Sequence, residues 1–392
     1  MQFASAISHE AETEVAIDKT LETLTEQLAD APVDLGFVFA SSHHLKALAD
    51  LLPEVQKGLD APTLIGCTGG GVIGDAREIE HRPAFSMMAA SLPGVSIKPF
   101  HVDQAIVEDL SDTYWQERLS LAVEDDPSFV LFPDPFTIDA QKLLDSFNTS
   151  YPLRPVLGGL ASGGQSASSC ALFLNGDVLH GAVGLSLTGD FSLRTVVSQG
   201  CRPIGEPQII TRCENQIIYQ LGGKPALEVI QALLESLPEA DQRLARSALL
   251  MGRVIDEYKE GFERGDFLIR TLMGADPKSG AIAVGDIFRP GQTVQLHVRD
   301  ASTAREDLHA LMDSLAPEFN DDRPAKGALL FSCNGRGAHL YGEKDHDSRV
   351  ITETTGAIPL AGFFCNGEIG PIGNTNFLHG FTASIGIFQD KE

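Results

Sequence analysis

Apolar runs of strand length alternate along this chain with amphipathic segments of helix length. Residues 3–7 read as a short strand. Val15, Ile17, Leu21, Leu24 and Leu28 then recur at near-helical spacing, with Ser8 placed to cap the helix and Ala31-Pro32 to stop it. From there a pattern repeats. An apolar run leads into a loop and a helix, then a short strand opened by proline, a glycine-rich loop and a further strand. One copy reads LGFVFASSHH (35–44), a helix over 45–58, PTLIGCTGGGVIG (62–74) and AFSMMAASL (84–92). Another reads FVLFPDPFT (129–137), a helix to about 150, PVLGGLASGGQS (155–166) and CALFLNGDVLHGAVGLSL (170–187). A third reads GALLFSCNGRG (327–337), a weak helix over 348–356, IPLAGFFCNGEIG (358–370) and LHGFTASIGIF (378–388). The copies are few and irregularly spaced, which indicates duplication of part of a domain and not a solenoid.

A different block separates the second and third copies. Residues 201–237 alternate, turn at Gly222-Gly223 and enter a helix after Pro225. Residues 267–288 form a hairpin by their turn chemistry, 293–301 a strand, and Ser302 is placed to cap a helix over 303–315. The expected fold class is α/β (mixed α+β): two domains of mixed sheets flanked by helices, built from related half-units. The expected division is 1–225 and 226–392. One continuous domain carrying a large insertion is the other arrangement the pattern allows.

Charge narrows the function classes. Against 29 Lys and Arg stand 54 Asp and Glu, a formal net charge of -25. Such a field repels phosphate backbones and anionic lipid, so no nucleic-acid or membrane partner is expected. No uninterrupted apolar stretch is long enough to span a bilayer, and the first twenty residues lack the pattern of a signal peptide. Six cysteines without a CxxC pair predict a reduced, cytoplasmic protein with no metal site and no cofactor.

The unusual residues gather in a few loops. Cys67-Thr68-Gly69-Gly70-Gly71 follows a strand, and its glycines permit either an anion nest of backbone N–H groups or a tight turn. Neither the phosphate-loop nor the dinucleotide pattern is met. Cys333-Asn334-Gly335-Arg336 is a compact donor cluster in which Arg336 either offers its planar fork to a carboxylate or faces solvent. Asn366 and Glu368 lie in the loop after the next strand, where Glu368 either accepts an ammonium group or serves as a salt bridge or cap. Ser41 stands at a strand end as a ligand contact or a helix cap. Arg270 and Arg299 interrupt apolar strands, so each either alternates to solvent or is buried against an acid. A nucleophilic role for Cys67, Cys333 or Cys365 would need a nearby base or a helix N-terminus; no catalytic residue is assigned.

At these loops the sequence strongly resembles the FIST (F-box and intracellular signal transduction) proteins. The resemblance is carried by residues 65–74 with Glu78-Ile79-Glu80, Ser41, and in the second half by 267–270, 298–301, 331–337, 359–370 and 378–379. It covers an N-terminal FIST domain near 30–225 and a C-terminal one near 226–372. It implies a sensory module that binds a small ligand, an amino acid or related carboxylate, and signals through a partner protein. A protein-interaction module without a small ligand and a cysteine-dependent enzyme are the alternatives. No F-box-like segment precedes the first motif and no kinase, receiver or cyclase pattern follows Phe388, so a stand-alone sensor is expected. Cys67 to Gly71, Asn334 to Arg336 and Glu368 become pocket candidates, with backbone N–H groups and Arg336 on a ligand carboxylate and Glu368 on its amine.

Overall fold

The computed structural model describes residues 1–29, 31–164 and 166–391. They fall into two compact units, one of residues 1–197, 308–378 and 382–392, the other of 198–307 with 379–381. In the larger unit the three copies seen in the sequence become three repeats of one topology.

The first repeat opens with β1 (Gln2–Ser8) and α1 (Thr13–Leu28). Then come β2 (Leu35–Ser41), α2 (Leu45–Leu59) and β3 (Thr63–Gly69), with β3 parallel to β2. A hairpin of β4 (Gly71–Gly74) and β5 (Arg77–Glu80) follows, and β6 (Phe85–Ser91) returns antiparallel to β2. The second repeat runs β7 (Val95–Val102), α3 (Gln104–Glu108), α4 (Tyr114–Leu119), β8 (Ser128–Pro133) and α5 (Ala140–Ser150). It closes with β9 (Val156–Gly159) parallel to β8, the hairpin β10 (Leu172–Leu174) and β11 (Asp177–Leu179), and β12 (Ala182–Gly189).

The third repeat opens with β13 (Phe191–Gln199) and is then interrupted by the smaller unit. That unit supplies β14 (Cys201–Glu214), β15 (Ile217–Leu221), β16 (Lys224–Pro225), α6 (Ala226–Ser236) and α7 (Glu239–Ser247). It continues with β17 (Leu249–Val254), β18 (Phe267–Asp276), β19 (Ala281–Val284) and β20 (Thr293–Arg299). Its strands form an antiparallel sheet in the order β14-β20-β17-β18-β19-β15-β16. Ile204, Ile218, Met251 and Leu296 of that sheet pack with Ile230 of α6. The third repeat resumes with α8 (Ala301–Leu315), β21 (Gly327–Cys333), α9 (Gly337–Tyr341) and α10 (His346–Thr355). It ends with β22 (Leu360–Cys365) parallel to β21, the hairpin β23 (Glu368–Ile372) and β24 (Thr375–His379), and β25 (Thr382–Asp390).

Each repeat forms the same four-stranded sheet: β1-β6-β2-β3, β7-β12-β8-β9 and β13-β25-β21-β22. Each gives its hairpin away. The first hairpin extends the third sheet, the second extends the first, and the third extends the second. The exchange is cyclic, so none of the three sheets is complete without a neighbour. Residues before 198 and after 307 therefore share sheets, whereas the boundary at 225 and 226 falls inside the smaller unit, between β16 and α6.

Alternation within the strands decides what faces what. Phe39, Phe132 and Phe331 occupy the same position in β2, β8 and β21 and meet at the centre, with ring centroids 5.6 to 6.3 Å apart. Phe363 stacks beside them, 5.2 Å from Phe39. The opposite faces carry helices: α1 and α2 on the first sheet, α3 to α5 on the second, α8 and α10 on the third. Two expected caps move. Thr13, not the residue after Ser8, begins α1, and Ser8 Oγ accepts the Glu10 N–H at 3.3 Å. Asp300 rather than Ser302 caps α8, its Oδ1 accepting the Ser302 N–H at 3.0 Å. Among the described residues no helix is long and apolar enough to cross a membrane.

A glycine recurs in each second strand, at Gly66, Gly158 and Gly362, opposite Val38, Leu131 and Leu330 of the parallel neighbour. A Cβ at any of the three would run into the backbone carbonyl oxygen of that opposing residue. Backbone cannot rotate away as a side chain can. Gly66→Ala, Gly158→Ala and Gly362→Ala are each expected to cost about 3 kcal/mol or prevent folding, by urea denaturation. Gly36→Ala is the comparison, because its Cβ would meet only the tips of Leu64 and Leu59, at 2.8 and 3.0 Å, and should cost about 1 kcal/mol.

Candidate functional site

The turns after the three second strands meet through one repeated backbone hydrogen bond. The Gly70 N–H donates to Phe364 O at 3.3 Å, the Asn366 N–H to Leu160 O at 3.2 Å, and the Ser162 N–H to Thr68 O at 3.0 Å. Each donor stands four residues beyond its repeat glycine and each acceptor two residues beyond, so the three bonds close a ring. Ser162 adds to it, its Oγ accepting the Gly70 N–H at 2.7 Å and donating to Phe364 O. Glycine is required at the first turn by close approach: a Cβ on Gly69 would sit 2.8 Å from Phe363 Cβ, and one on Gly70 would strike the Asn334 amide.

The glycine loops thus converge, but their donors are consumed. Beyond the ring, Thr68 N–H bonds Ala171 O at 2.9 Å, Asn334 N–H bonds Cys365 O at 2.9 Å, and Arg336 N–H bonds Cys333 O at 2.7 Å. The open nest of N–H groups expected at 67–71 is therefore closed, because buried backbone donors must be paired and these loops pair one another. Cys67, Thr68, Gly69 and Gly71 are buried, Cys333 and Gly335 half-buried, and Gly70, Asn334 and Asn366 exposed. The polar side chains exposed at these turns are the amides of Asn334 and Asn366.

Arg336 turns inward from these turns. It is fully buried, and its fork grips Asp347 of α10, Nε to Oδ2 at 2.8 Å and Nη2 to Oδ1 at 3.0 Å. Its fork is thus occupied by a carboxylate of the chain itself, which corrects both the docking role and the solvent-facing alternative. Ser332 Oγ reaches Asp347 Oδ2 at 3.2 Å and His346 Nδ1 its Oδ1 at 3.0 Å. The Tyr341 ring stacks on His346 at 3.7 Å and faces the Arg336 guanidinium at 5.6 Å. Burial opposes the charge on both members of the pair. Their mutual attraction overrides it, holding Asp347 below the usual carboxylate range and Arg336 firmly protonated. Glu78 of β5 joins the cluster, accepting the Ser348 N–H and Oγ–H at 2.8 and 2.9 Å. Burial, and then the charge of Asp347, push its carboxyl from 4.5 up to about 8. Glu80 on the same strand accepts the Ala338 N–H at 2.9 Å.

Glu368 is buried, its Oε2 accepting the Thr382 N–H at 3.1 Å and Oγ–H at 2.9 Å, so it holds the start of β25 and not a ligand amine. Ser41 Oγ accepts the Ala84 N–H at 3.0 Å and caps no helix. In the smaller unit Arg270 and Arg253 share Asp286 Oδ2, each through Nε at 3.0 Å. Arg299 lies over the Phe381 ring at 5.4 Å, with its Nε and Nη2 buried and without hydrogen-bond partners. No disulfide joins the six cysteines. Burial raises the Cys67 and Cys365 thiols well above their ordinary value, the opposite of nucleophile activation. Sequence reasoning missed Asp347, His346, Tyr341 and Ser162. Asp347 and His346 lie in Glu343-Lys-Asp-His-Asp-Ser-Arg349, a polar run that reads as a solvated face.

Two family models match the chain, the FIST N domain over residues 34–224 and the FIST C domain over 226–371. An uncharacterized Mycobacterium tuberculosis protein is 40% identical over 93% of this chain and 94% of its own. An uncharacterized protein of Mycobacterium bovis is 38% identical over 96% of each. A solved structure, PurLQS from Thermotoga maritima, aligns over 99% of this chain and 72% of its own with 10% identity and a TM-score of 0.23.

The buried cluster has a definite pH signature. Between pH 4.5 and about 8 the folded state keeps the Glu78 proton that the unfolded chain releases, so this group lowers stability as pH rises. Glu78→Gln removes that titration. Its unfolding free energy, followed in urea across this range, should gain on wild type as pH rises, and a constant difference would refute the assignment. Asp347→Asn leaves the Arg336 charge buried without its partner and should cost about 3 to 5 kcal/mol at neutral pH.

Proposed function

The chain belongs to the FIST family of signal-transduction sensory modules, and on that premise we propose a sensor for an amino acid or related small carboxylate, read out by a partner protein. The ligand seat is the mouth over the backbone ring. One observation carries the reading: the exposed Asn334 and Asn366 stand together where parallel strands end, over a scaffold whose own N–H groups are satisfied. Strand ends of this kind are the usual ligand position on α/β sheets. Each amide offers two donors and an acceptor, so the pair matches the carboxylate and ammonium of a zwitterion without burying a lone charge. The loop bearing Asn334 runs directly into Arg336, which is anchored on α10 through Asp347. A ligand that draws on Asn334 therefore acts on α10, and a partner that contacts this helix reads the loaded state.

A thermal-shift screen of amino acids and small carboxylates tests the proposal. A cognate ligand at 100 times its dissociation constant stabilises the folded chain by about 2.7 kcal/mol. Asn334→Ala and Asn366→Ala should abolish the shift while leaving the unliganded midpoint near wild type. A screen without a hit, or a shift that survives both substitutions, counts against the site.

A further inference from the structure

A cleft of about 480 Å3 lies at the other end of the parallel strands of the second repeat. Ser128, the first residue of β8, and Arg154-Pro155, which lead into β9, line it. Its charge runs against that of the chain. Arg154, Arg194, Arg323 and Lys391 line it with Asp125 and Asp126, and with Glu318 beside Arg194 the count is four cations to three carboxylates in a protein of net charge -25. Arg154 pairs with Asp126, and Arg194 Nε lies 2.6 Å from Glu318. The compensation is incomplete. Arg154 Nε is buried without a hydrogen-bond partner, and Lys391 Nζ bonds the neutral Gly189 carbonyl at 3.0 Å.

The geometry points to a binding site for a phosphate-bearing small molecule of sugar-phosphate or nucleotide size. Planar guanidinium forks and an ammonium around one space suit a multiply charged tetrahedral oxyanion, whereas a single carboxylate would engage one fork. The volume is that of a small-molecule site, and the field of the whole chain keeps nucleic-acid polymers away. An apolar flank completes it. Phe191 lines the cleft, and Leu153 does so at 65% exposure with a φ of 69°, a left-handed backbone that a branched side chain rarely adopts. The site uses none of the residues at the loop mouth and stands or falls apart from the sensor reading.

Isothermal titration with inorganic pyrophosphate and with ADP tests it on the full chain. Wild type is expected to bind at least one of the two saturably and more weakly as salt rises. Lys391→Gln and Arg154→Gln should each weaken that binding about tenfold, the loss of one charge-assisted hydrogen bond. Lys391→Gln keeps a donor for the Gly189 carbonyl, so a folding defect does not confuse the result. Lys46→Gln, on α2, should leave binding unchanged. Tighter binding of ADP than of pyrophosphate assigns a role to the apolar flank, and equal binding assigns the affinity to phosphate alone. The proposal is overturned if neither probe binds, if both cleft variants bind as wild type does, or if Lys46→Gln weakens binding as much as they do.

Discussion

Three backbone hydrogen bonds, one from each repeat to the next, hold the larger unit to its geometry. Gly70 to Phe364, Asn366 to Leu160 and Ser162 to Thr68 are the same bond made three times, and each has its donor in one repeat and its acceptor in another. A repeat could not make its own, just as it could not complete its own sheet once its hairpin had left. The cyclic hairpin exchange and the ring express one constraint, that turns must pair across repeats when their backbone is buried. The glycines follow from it. Gly66, Gly158 and Gly362 let parallel strands approach closely, and Gly69 and Gly70 let the first turn pass beneath Phe363 and Asn334.

That constraint also reassigns the chemistry of the loops. Glycine-rich turns with free N–H groups make anion sites; the same turns with those groups engaged make a scaffold. Here those groups are engaged, and the polar side chains exposed at the turns are those of Asn334 and Asn366. Behind them the Arg336–Asp347 pair is too deeply buried to meet a ligand, yet it ties the displayed loop to α10. A buried pair of this kind is weak support for stability compared with a well-packed apolar core, and its better-attested use is to fix one arrangement against others. The neighbouring Glu78 makes that arrangement sensitive to protons.

Much of the fold was legible because repetition exposes itself. The three copies of apolar run, proline, glycine and glycine-rich turn became three parallel strand pairs at the same positions, and the pattern of Phe39, Phe132 and Phe331 placed one aromatic from each at the centre. The hairpin over 267–288 and the helix after Pro225 appeared where turn chemistry put them. The cap at Ser8 did not, because a serine before an amphipathic stretch also suits a turn, and the chain uses the intervening residues to leave the strand. The candidate site was less legible. Arg336 in a glycine turn invites solvent or ligand, and its partner Asp347 is hidden in a run of charges that reads as surface.

The sequence alone determined the mixed α/β class and the repeated unit, and its resemblance to known proteins the membership of the FIST family. Periodicity and local turn chemistry encode the class and the repeat within a few neighbouring residues. Only the tertiary structure decided which hairpin joins which sheet, that the loop N–H groups spend themselves on one another, and that Arg336 and Glu368 face inward. Those outcomes depend on partners hundreds of residues away, Glu78 with Ser348 and Gly70 with Phe364 among them. A backbone donor or a charged side chain carries no mark of whether its partner is the chain itself or a guest. Burial settles that, and burial exists only once the three repeats have closed.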